Sequence, residues 1–212
     1  MLNRNVLKVS AGGLVLAIFV LAGIRSSILD NERVAIPQTV YKEREWIPLD
    51  DSFLSDKETE NTEGHSVQLI HATTMDEDEF IARYAKEHHP RDEHIKKPDN
   101  VLAITVKIRN KSNRGGGIGA WEWRVVPNSN VGDYVIDGEL FGLEHPEIGE
   151  LAQFSIPAGE ERTTTLPFVH YAPARPFEKI GTITYDTVGE RSFHLNLSNL
   201  PVQKRLEFSL SD

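Results

Sequence analysis

From Val101 onward the apolar residues recur at every second position. Leu102, Ile104, Val106 and Ile108 share one register, and Ala103, Thr105, Lys107 and Arg109 share the other. Trp121, Trp123 and Val125 repeat the alternation against Glu122 and Arg124, and Leu166, Phe168 and His170 form another set. Ile183 with Tyr185 follows, then Phe193, Leu195 and Leu197, and finally Leu206, Phe208 and Leu210. A period of two puts successive side chains on opposite faces, so each segment predicts a half-buried strand. Turn-rich stretches separate them: NKSNRGGG, VPNSNVGD, IPAGEE, APARP, DTVGE and SNLP. Strands with one wet face and no helices between them argue for an antiparallel sandwich and against a parallel α/β sheet.

Upstream the period changes. TTMDEDEFIARYAKEHHP predicts one soluble helix at about residues 75–88. Thr74 is the expected cap, with Glu77 three residues on completing a capping box. Asp76, Glu77 and Asp78 suit the positive end of the helix dipole, Lys86 lies near the other end, and Pro90 stops the helix. Phe80, Ile81, Tyr84 and Ala85 fall on one face, and so short a helix needs a sheet to pack on. HSVQLIHA predicts a strand with Val67 and Leu69 together, and shorter strands are expected around Val40 and Trp46. SDKETENTEG and RDEHIKKPDN read as solvated, charged loops.

The amino-terminal end has a third pattern. After the basic stretch MLNRNVLK, residues 9–24 (VSAGGLVLAIFVLAGI) carry no charge, and Arg25 closes the run. As a helix at ~1.5 Å per residue it reaches ~24 Å, and extension back to Val6 with Lys8 snorkelling brings it to spanning length. One reading is an uncleaved anchor through residues 6–24, its amino terminus inside beside Arg4 and Lys8. The other is a signal peptide cut near VLAG, where Val20 and Ala22 are small enough. The glycine pair Gly12 and Gly13 and the weak cleavage site favour the anchor. Either way residues 30–212 are expected outside the cytoplasm.

Composition narrows the function classes. The 212 residues are 39% hydrophobic and 26% charged, as in a folded domain plus a short appendage. Net charge is −9, and with Arg4 and Lys8 set aside the remainder carries −11. No basic stripe appears, so nucleic acid is not expected as a partner. The absence of cysteine removes disulfides, thiolate zinc sites, Cys nucleophiles and lipid-modified cysteine together.

Candidate chemistry is sparse. Gly115-x-Gly117-x-x-Ala120 fits the letter of a dinucleotide fingerprint, but pyrophosphate needs a helix amino terminus directly afterwards, and WEWRVV reads as a strand. The glycines are better read as a mobile loop free to adopt positive φ, with Trp121 and Trp123 sharing the buried face. His88, His89 and His94 with Asp92 and Glu93 are the densest cluster of metal-ligand types, but adjacent histidines before a proline point in different directions. His65, His71, His145, His170 and His194 stand singly. Glu139, Glu144, Glu147 and Glu150 lie in a loop-like acidic excursion, DGELFGLEHPEIGEL, with Leu140, Phe141 and Leu143 tucked inward. No nucleophile elbow or S-x-x-K motif is present. No catalytic, cofactor or metal residue is assigned.

The segments VLAITVKIRNKS, FSIPAGEERTTTLPFVHY and KIGTITYDTVGERSFHLNLS resemble immunoglobulin-like modules of bacterial surface proteins. The shared features are Asn110-Lys111-Ser112 at a strand end, the Pro157-Ala158-Gly159 turn before Leu166 and Phe168, and Tyr185 in a late strand. Upstream, EREWIPLDDSF, GHSVQLIHA and DEDEFIARYAKEH are similar to an uncharacterised family of single-anchor or secreted proteins from Gram-positive bacteria. The resemblance covers about residues 30–210 and implies a fold without implying an activity.

The expected architecture is therefore mainly β: an antiparallel immunoglobulin-like β-sandwich with one short packed helix, preceded by a transmembrane helix. Residues 1–25 form the anchor or signal peptide, 26–62 a tether with the first strands, and 63–212 the sandwich. The expected role is an envelope-displayed binding module without catalysis. Its partners would be the bilayer through residues 6–24 and an envelope protein or glycan, met first by loop 112–120 or the excursion at 137–151. An extracytoplasmic hydrolase or metal-dependent enzyme, and an accessory subunit of a transport or secretion complex, are the alternatives.

Overall fold

A computed structural model describes residues 36–55, 60–86, 98, 100–129, 132–171 and 191–210. The amino-terminal segment, the histidine-rich stretch at 88–94 and the strand expected around Ile183 and Tyr185 lie outside the described residues. No helix among the described residues is long and apolar enough to cross a membrane.

The chain is mainly β, as the alternation predicts. The strands are β1 (Gln38–Tyr41), β2 (Ile47–Pro48), β3 (His65–Met75), β4 (Val101–Asn110), β5 (Ile118–Gly119), β6 (Arg124–Pro127), β7 (Asp133–Ile136), β8 (Gln153–Phe154), β9 (Glu161–Tyr171), β10 (Ser192–Ser198) and β11 (Gln203–Ser209). The helices are α1 (Glu77–Tyr84) and α2 (Gly138–Glu144), and a 3-10 turn spans Ala120–Glu122.

The expected arrangement of two antiparallel sheets is replaced by one continuous mixed sheet among the described residues, in the order β1-β11-β10-β6-β7-β9-β4-β3-β2. β5 and β8 make a separate two-stranded ribbon. Every neighbouring pair is antiparallel except β1 and β11, which run parallel with Gln38 opposite Gln203. Parallel neighbours need a long connection, and here nearly the whole domain supplies it. The alternation of a strand is blind to the direction of its neighbour, so nothing in the pattern of β1 announces this.

The sheet nearly closes on itself. The backbone N–H of Phe53 donates to the Leu200 carbonyl at 2.7 Å, and the N–H groups of Asn199 and Leu200 donate back to Phe53. Across the same seam the Lys204 ammonium donates to the carbonyls of Pro48 and Leu49 at 2.5 and 2.7 Å. Lys204 occupies the inward register of β11 with Leu206 and Phe208 and is buried. Burial lowers its pKa and the nearby Asp50 carboxylate partly restores it. A buried cation is tolerated because its N–H groups are satisfied by two backbone carbonyls, the Leu49 carbonyl accepting from Ser52 N–H as well.

Inside the curl lie Val67, Leu69, Ile104, Val106, Ile108, Trp123, Val125, Leu166, Phe168, Phe193, Leu195, Leu206 and Phe208, all buried in the register the sequence predicts. β4 departs from strict alternation at its start. Val101, Leu102, Ala103 and Ile104 are all buried, and only from Thr105 does every second residue become partly wet. The reason is a second, outer core in which Val101 and Ala103 meet Met75, Phe80, Leu140 and Leu143 beneath the two helices. A continuous apolar run marks a strand end covered on both faces. β3 carries a bulge between Leu69 and His71, which leaves Ile70 outside the ladder and 46% exposed while Ala72 returns to the interior.

α1 presents Phe80, Ile81, Tyr84 and Ala85 to that outer core, the face expected. It is shorter than the predicted 75–88, and Thr74 is not its cap. Thr74 and Met75 continue β3, and the Asp76 carboxylate accepts from Glu79 N–H at 2.7 Å. Asp caps as well as Thr, and pairing with β4 holds Thr74 extended. SDKETENTEG reads as solvated throughout, yet Glu60 and Thr62 are buried. The Glu60 carboxylate accepts from Leu54 and Ser55 N–H at 3.2 and 3.1 Å, and the Thr62 hydroxyl donates to Ser52 at 2.8 Å.

His65 opens β3 fully buried, and no described group forms a hydrogen bond with either ring nitrogen. Burial lowers its pKa, offset in part by the nearby Glu63 and Thr62 carbonyls. A depressed folded-state pKa makes the unfolded chain the better proton acceptor below about pH 6.5. Stability conferred by neutral His65 is therefore present at neutral pH and lost as the pH falls from there toward the folded-state value. Urea unfolding at pH 7.5 and 5.0 should show a smaller acid loss for His65→Gln than for the parent. Equal losses would exclude His65 as the acid-labile group.

Candidate functional site

The glycine run connects β4 to the ribbon, and its geometry excludes a phosphate cradle. Asn110, fully buried at the end of β4, accepts from the N–H groups of Ser112 and Asn113 at 3.1 and 2.8 Å. Its amide donates to the Asn113 and Ile156 carbonyls at 2.7 and 2.6 Å. Asn113 in turn accepts from Gly115 and Gly116 N–H at 3.0 and 2.7 Å and donates to the Asn61 and Glu63 carbonyls. Four of the loop amides, those of Ser112, Asn113, Gly115 and Gly116, are thus already taken by two asparagines. Beyond Gly117 come the short β5 and one 3-10 turn, with no α-helix to supply a dipole.

Of the run, Gly116 is required by close packing while a Cβ on Gly115 would meet nothing within 4 Å, and the expectation of a loop using positive φ is not met. Gly115, Gly116 and Gly117 are not among the positive-φ residues. A Cβ on Gly116 would lie 2.0 Å from the Asn61 carbonyl oxygen.

Trp121 and Trp123 are expected on one buried face, and the structure separates them. Trp123 is 1% exposed in the central core, whereas Trp121 is 48% exposed. The 3-10 turn breaks the two-residue period, since three residues per turn rotate neighbours by roughly 120°. Trp121 leans back over Gly119, where an added Cβ would sit 3.2 Å from the indole nitrogen. The turn is fastened to the segment before β8 by Ala120 N–H donating to Ala152 at 3.0 Å. That segment carries Leu151, 69% exposed. The side of the turn is held by Ser55, whose hydroxyl donates to the Glu122 carboxylate at 2.7 Å. A groove lies between residues 113–116 and 155–158.

The acidic excursion contains a helix where the sequence suggests a loop. The Asp137 carboxylate caps α2 by accepting from Leu140 N–H at 3.1 Å, and Leu140, Phe141 and Leu143 are buried as expected. Two glycines in seven residues hide the helix from propensity reasoning. Gly138 is demanded by contact, since a Cβ there would lie 2.7 Å from the Glu150 carbonyl.

At the end of α2 the structure assembles a polar cluster from residues the sequence leaves scattered. His145, 3% exposed, places Nε2 2.6 Å from the Thr164 hydroxyl on β9 and 3.2 Å from Glu144 Oε1. Its Nδ1 lies 3.1 Å from Arg162 Nη2 and 3.4 Å from Glu147 Oε1. Arg162 and Glu147 are ion-paired. Glu144 Oε1 also accepts from Thr165 N–H at 3.2 Å, while Glu144 Oε2 is buried without a hydrogen bond. Burial works to raise the Glu147 pKa, but its own backbone N–H, Arg162, Lys86 and His145 outweigh burial and hold it at about 2. Hydroxyl, imidazole and carboxylate in sequence superficially match a nucleophile relay. Thr164, however, is 2% exposed.

Among the other singled-out residues, Glu139 and Glu150 lie outside this cluster. His170 packs edge-on to Tyr134 at 5.4 Å. His194, on the opposite register of β10 from Phe193, has its pKa lowered by burial and by Arg205, against the pull of Glu207 and Asp133. No group of three or more His, Asp or Glu able to hold a metal occurs among the described residues. No single residue pattern foretold the His145 cluster, because its members come from two segments that meet only through the β9 pairing.

No curated protein and no solved structure matches this chain. A family model described as "Domain of unknown function (DUF5028)" matches residues 38–204, which span the sheet from β1 into β11. The chain belongs to the DUF5028 family.

Proposed function

We propose that this chain is a binding module of the bacterial envelope, an immunoglobulin-like display domain in role, held by a membrane helix at residues 6–24 and without catalysis. One observation carries the reading. Trp121 is 48% exposed on a 3-10 turn fastened by the Ala120–Ala152 backbone hydrogen bond and by Ser55, and Leu151, next to Ala152 in the chain, is still more exposed. A large aromatic held half in water on a fastened element is the kind of side chain around which partners bind, and Trp is enriched there. The uncharged run of residues 9–24 between Lys8 and Arg25 supports the anchor. Burial of Thr164 weighs against hydrolysis at the one relay-like arrangement among the described residues.

The full chain, used as bait on envelope extracts, should retain a partner that the Trp121→Glu variant loses, both proteins melting alike. Retention by the variant, or an intact chain that fractionates with the cytosol, would overturn the proposal.

A further inference from the structure

We infer that the outward face of β6, β10 and β11 is the polar half of the binding surface that Trp121 marks, and that its cross-strand row Arg124–Asn196–Arg205 takes the carboxylates of a glycan bearing uronic acids. The inference rests on the binding role proposed above and names the chemistry of the partner.

Strand register builds the row. Asn196 of β10 lies opposite Arg124 of β6 on one side and opposite Arg205 of β11 on the other. Their chain neighbours Val125, Leu195 and Leu206 are buried in the central core, so alternation turns all three to the outer face. Two strand spacings set the arginine Cα atoms roughly 10 Å apart with the amide between them. The helices cover the outer face at β4 and β9. In the row itself all three residues are half-buried and none is sealed off. Arg124 Nη1 donates to the Trp121 and Trp123 carbonyls at 3.1 and 3.0 Å, which ties one end of the row to the turn carrying the exposed indole. Val40 of β1, also exposed, lies opposite Arg205 at the other end.

Unpaired positive charge sets this row apart. The chain carries a net −9, and Lys42, Arg83, Lys107 and Arg162 each sit against a carboxylate. Among the described residues neither Arg124 nor Arg205 makes an ion pair. Arg205 Nε and Asn196 Oδ1 form no hydrogen bond, although their residues stand directly opposite one another. Neither of these two side chains gives up a bond by turning toward a ligand. An arginine fork matches a carboxylate with two parallel N–H groups, and an amide both donates to and accepts from hydroxyls. A flat indole half in water suits the C–H face of a sugar ring. A protein partner would ask for an apolar centre, and the centre here is an asparagine. In the neighbouring row His194 lies opposite Glu207, and Asp133 is close enough to act on the imidazole. Glu207 is ion-paired with Lys42. The acid that remains is compatible with a singly charged carboxylate and weighs against the nearly double charge of a phosphate.

The test is a titration of the full chain, labelled in arginine and tryptophan for nitrogen NMR, with soluble oligomers of galacturonate, glucuronate and mannuronate. At least one should give saturable shifts in the Nε–H signals of Arg124 and Arg205 and in the Trp121 indole. The methyl ester of that oligomer keeps the sugar and loses the charge, and should bind at least about tenfold more weakly, the scale of a charged hydrogen-bond pair. Arg205→Gln should melt like the parent and lose affinity by a similar factor. Arg83→Gln removes the same charge from α1 and should change affinity by less than about twofold. Absence of saturable shifts with all three uronates would overturn the proposal, as would parent-like binding by Arg205→Gln. Tighter binding of oligoglutamate or of polyphosphate would overturn it as well, giving the row to an acidic peptide or to phosphate. The binding role itself is judged separately by Trp121→Glu. An envelope partner lost by that variant but retained by Arg205→Gln would leave the role standing and remove the row from it.

Discussion

Trp123→Ala should cost about 3–5 kcal/mol of stability, while Trp121→Ala, two residues away, should cost less than about 1 kcal/mol. Trp123 is 1% exposed and the largest of the fully buried side chains. It lies in the one cluster that also holds Val125, Phe168 and Leu195. Its removal empties a volume that strands pinned by hydrogen bonds on both sides cannot collapse to fill, so the cavity penalty adds to the lost transfer energy. Trp121 is nearly half in water and leans on a glycine. Thermal melts followed by circular dichroism should place the two variants on the order of 10 °C apart. Equal losses would mean that both indoles are core residues, and the exposed aromatic on which the proposed binding role rests would disappear with that result.

Asn110→Ala should cost about 2–4 kcal/mol through hydrogen bonding, since it removes little apolar burial. The side chain ends β4 at 0% exposure and makes four bonds to backbone groups, two as donor and two as acceptor. Truncation leaves the Ser112 and Asn113 N–H groups and the Ile156 carbonyl without that partner. Asn110→Asp should be no milder at neutral pH. A carboxylate still accepts from the two N–H groups but turns lone pairs toward two carbonyls. Hydrogen exchange separates this from general loosening. The amides of Ser112 and Asn113 should lose protection first, followed by Gly115 and Gly116, which depend on Asn113. Unchanged exchange in the loop would show that the asparagine is not its organiser. The same residue opens an Asn-x-Ser triplet, and its burial gives that triplet a structural purpose.

Strand content is legible because burial on one face imposes a period of two. Phe193, Leu195 and Leu197, or Leu206 and Phe208, have no other economical arrangement. The face of α1 is legible for the same reason at a period of 3.6, although its cap lies two residues past the expected one because Thr74 is already committed to pairing with Leu102. The helix in the acidic excursion is hidden by Gly138 and Gly142, and of these Gly138 is kept for its close approach to the Glu150 carbonyl. The indole pair misleads because one 3-10 turn shifts phase without leaving a compositional mark. Lys204 looks like a surface lysine, and its burial depends on two carbonyls far away in the chain. The candidate site is the least legible part: Glu144 and Glu147 stand out as acids and His145 reads as solitary, while nothing local marks Arg162 or Thr164.

The sequence by itself determined that this domain is β-rich, which residues of most described strands face inward, and that the glycine run is no nucleotide site. Those features follow from local periodicity and from the absence of a helix directly after the glycines. Only the tertiary structure decided that the strands join in one nearly closed mixed sheet, that Trp121 stands in solvent, and that His145 is gripped between two glutamates and an arginine. These depend on which segments become neighbours. Hydrogen-bond partners and desolvation belong to pairs of residues far apart in the chain, and no single stretch records them.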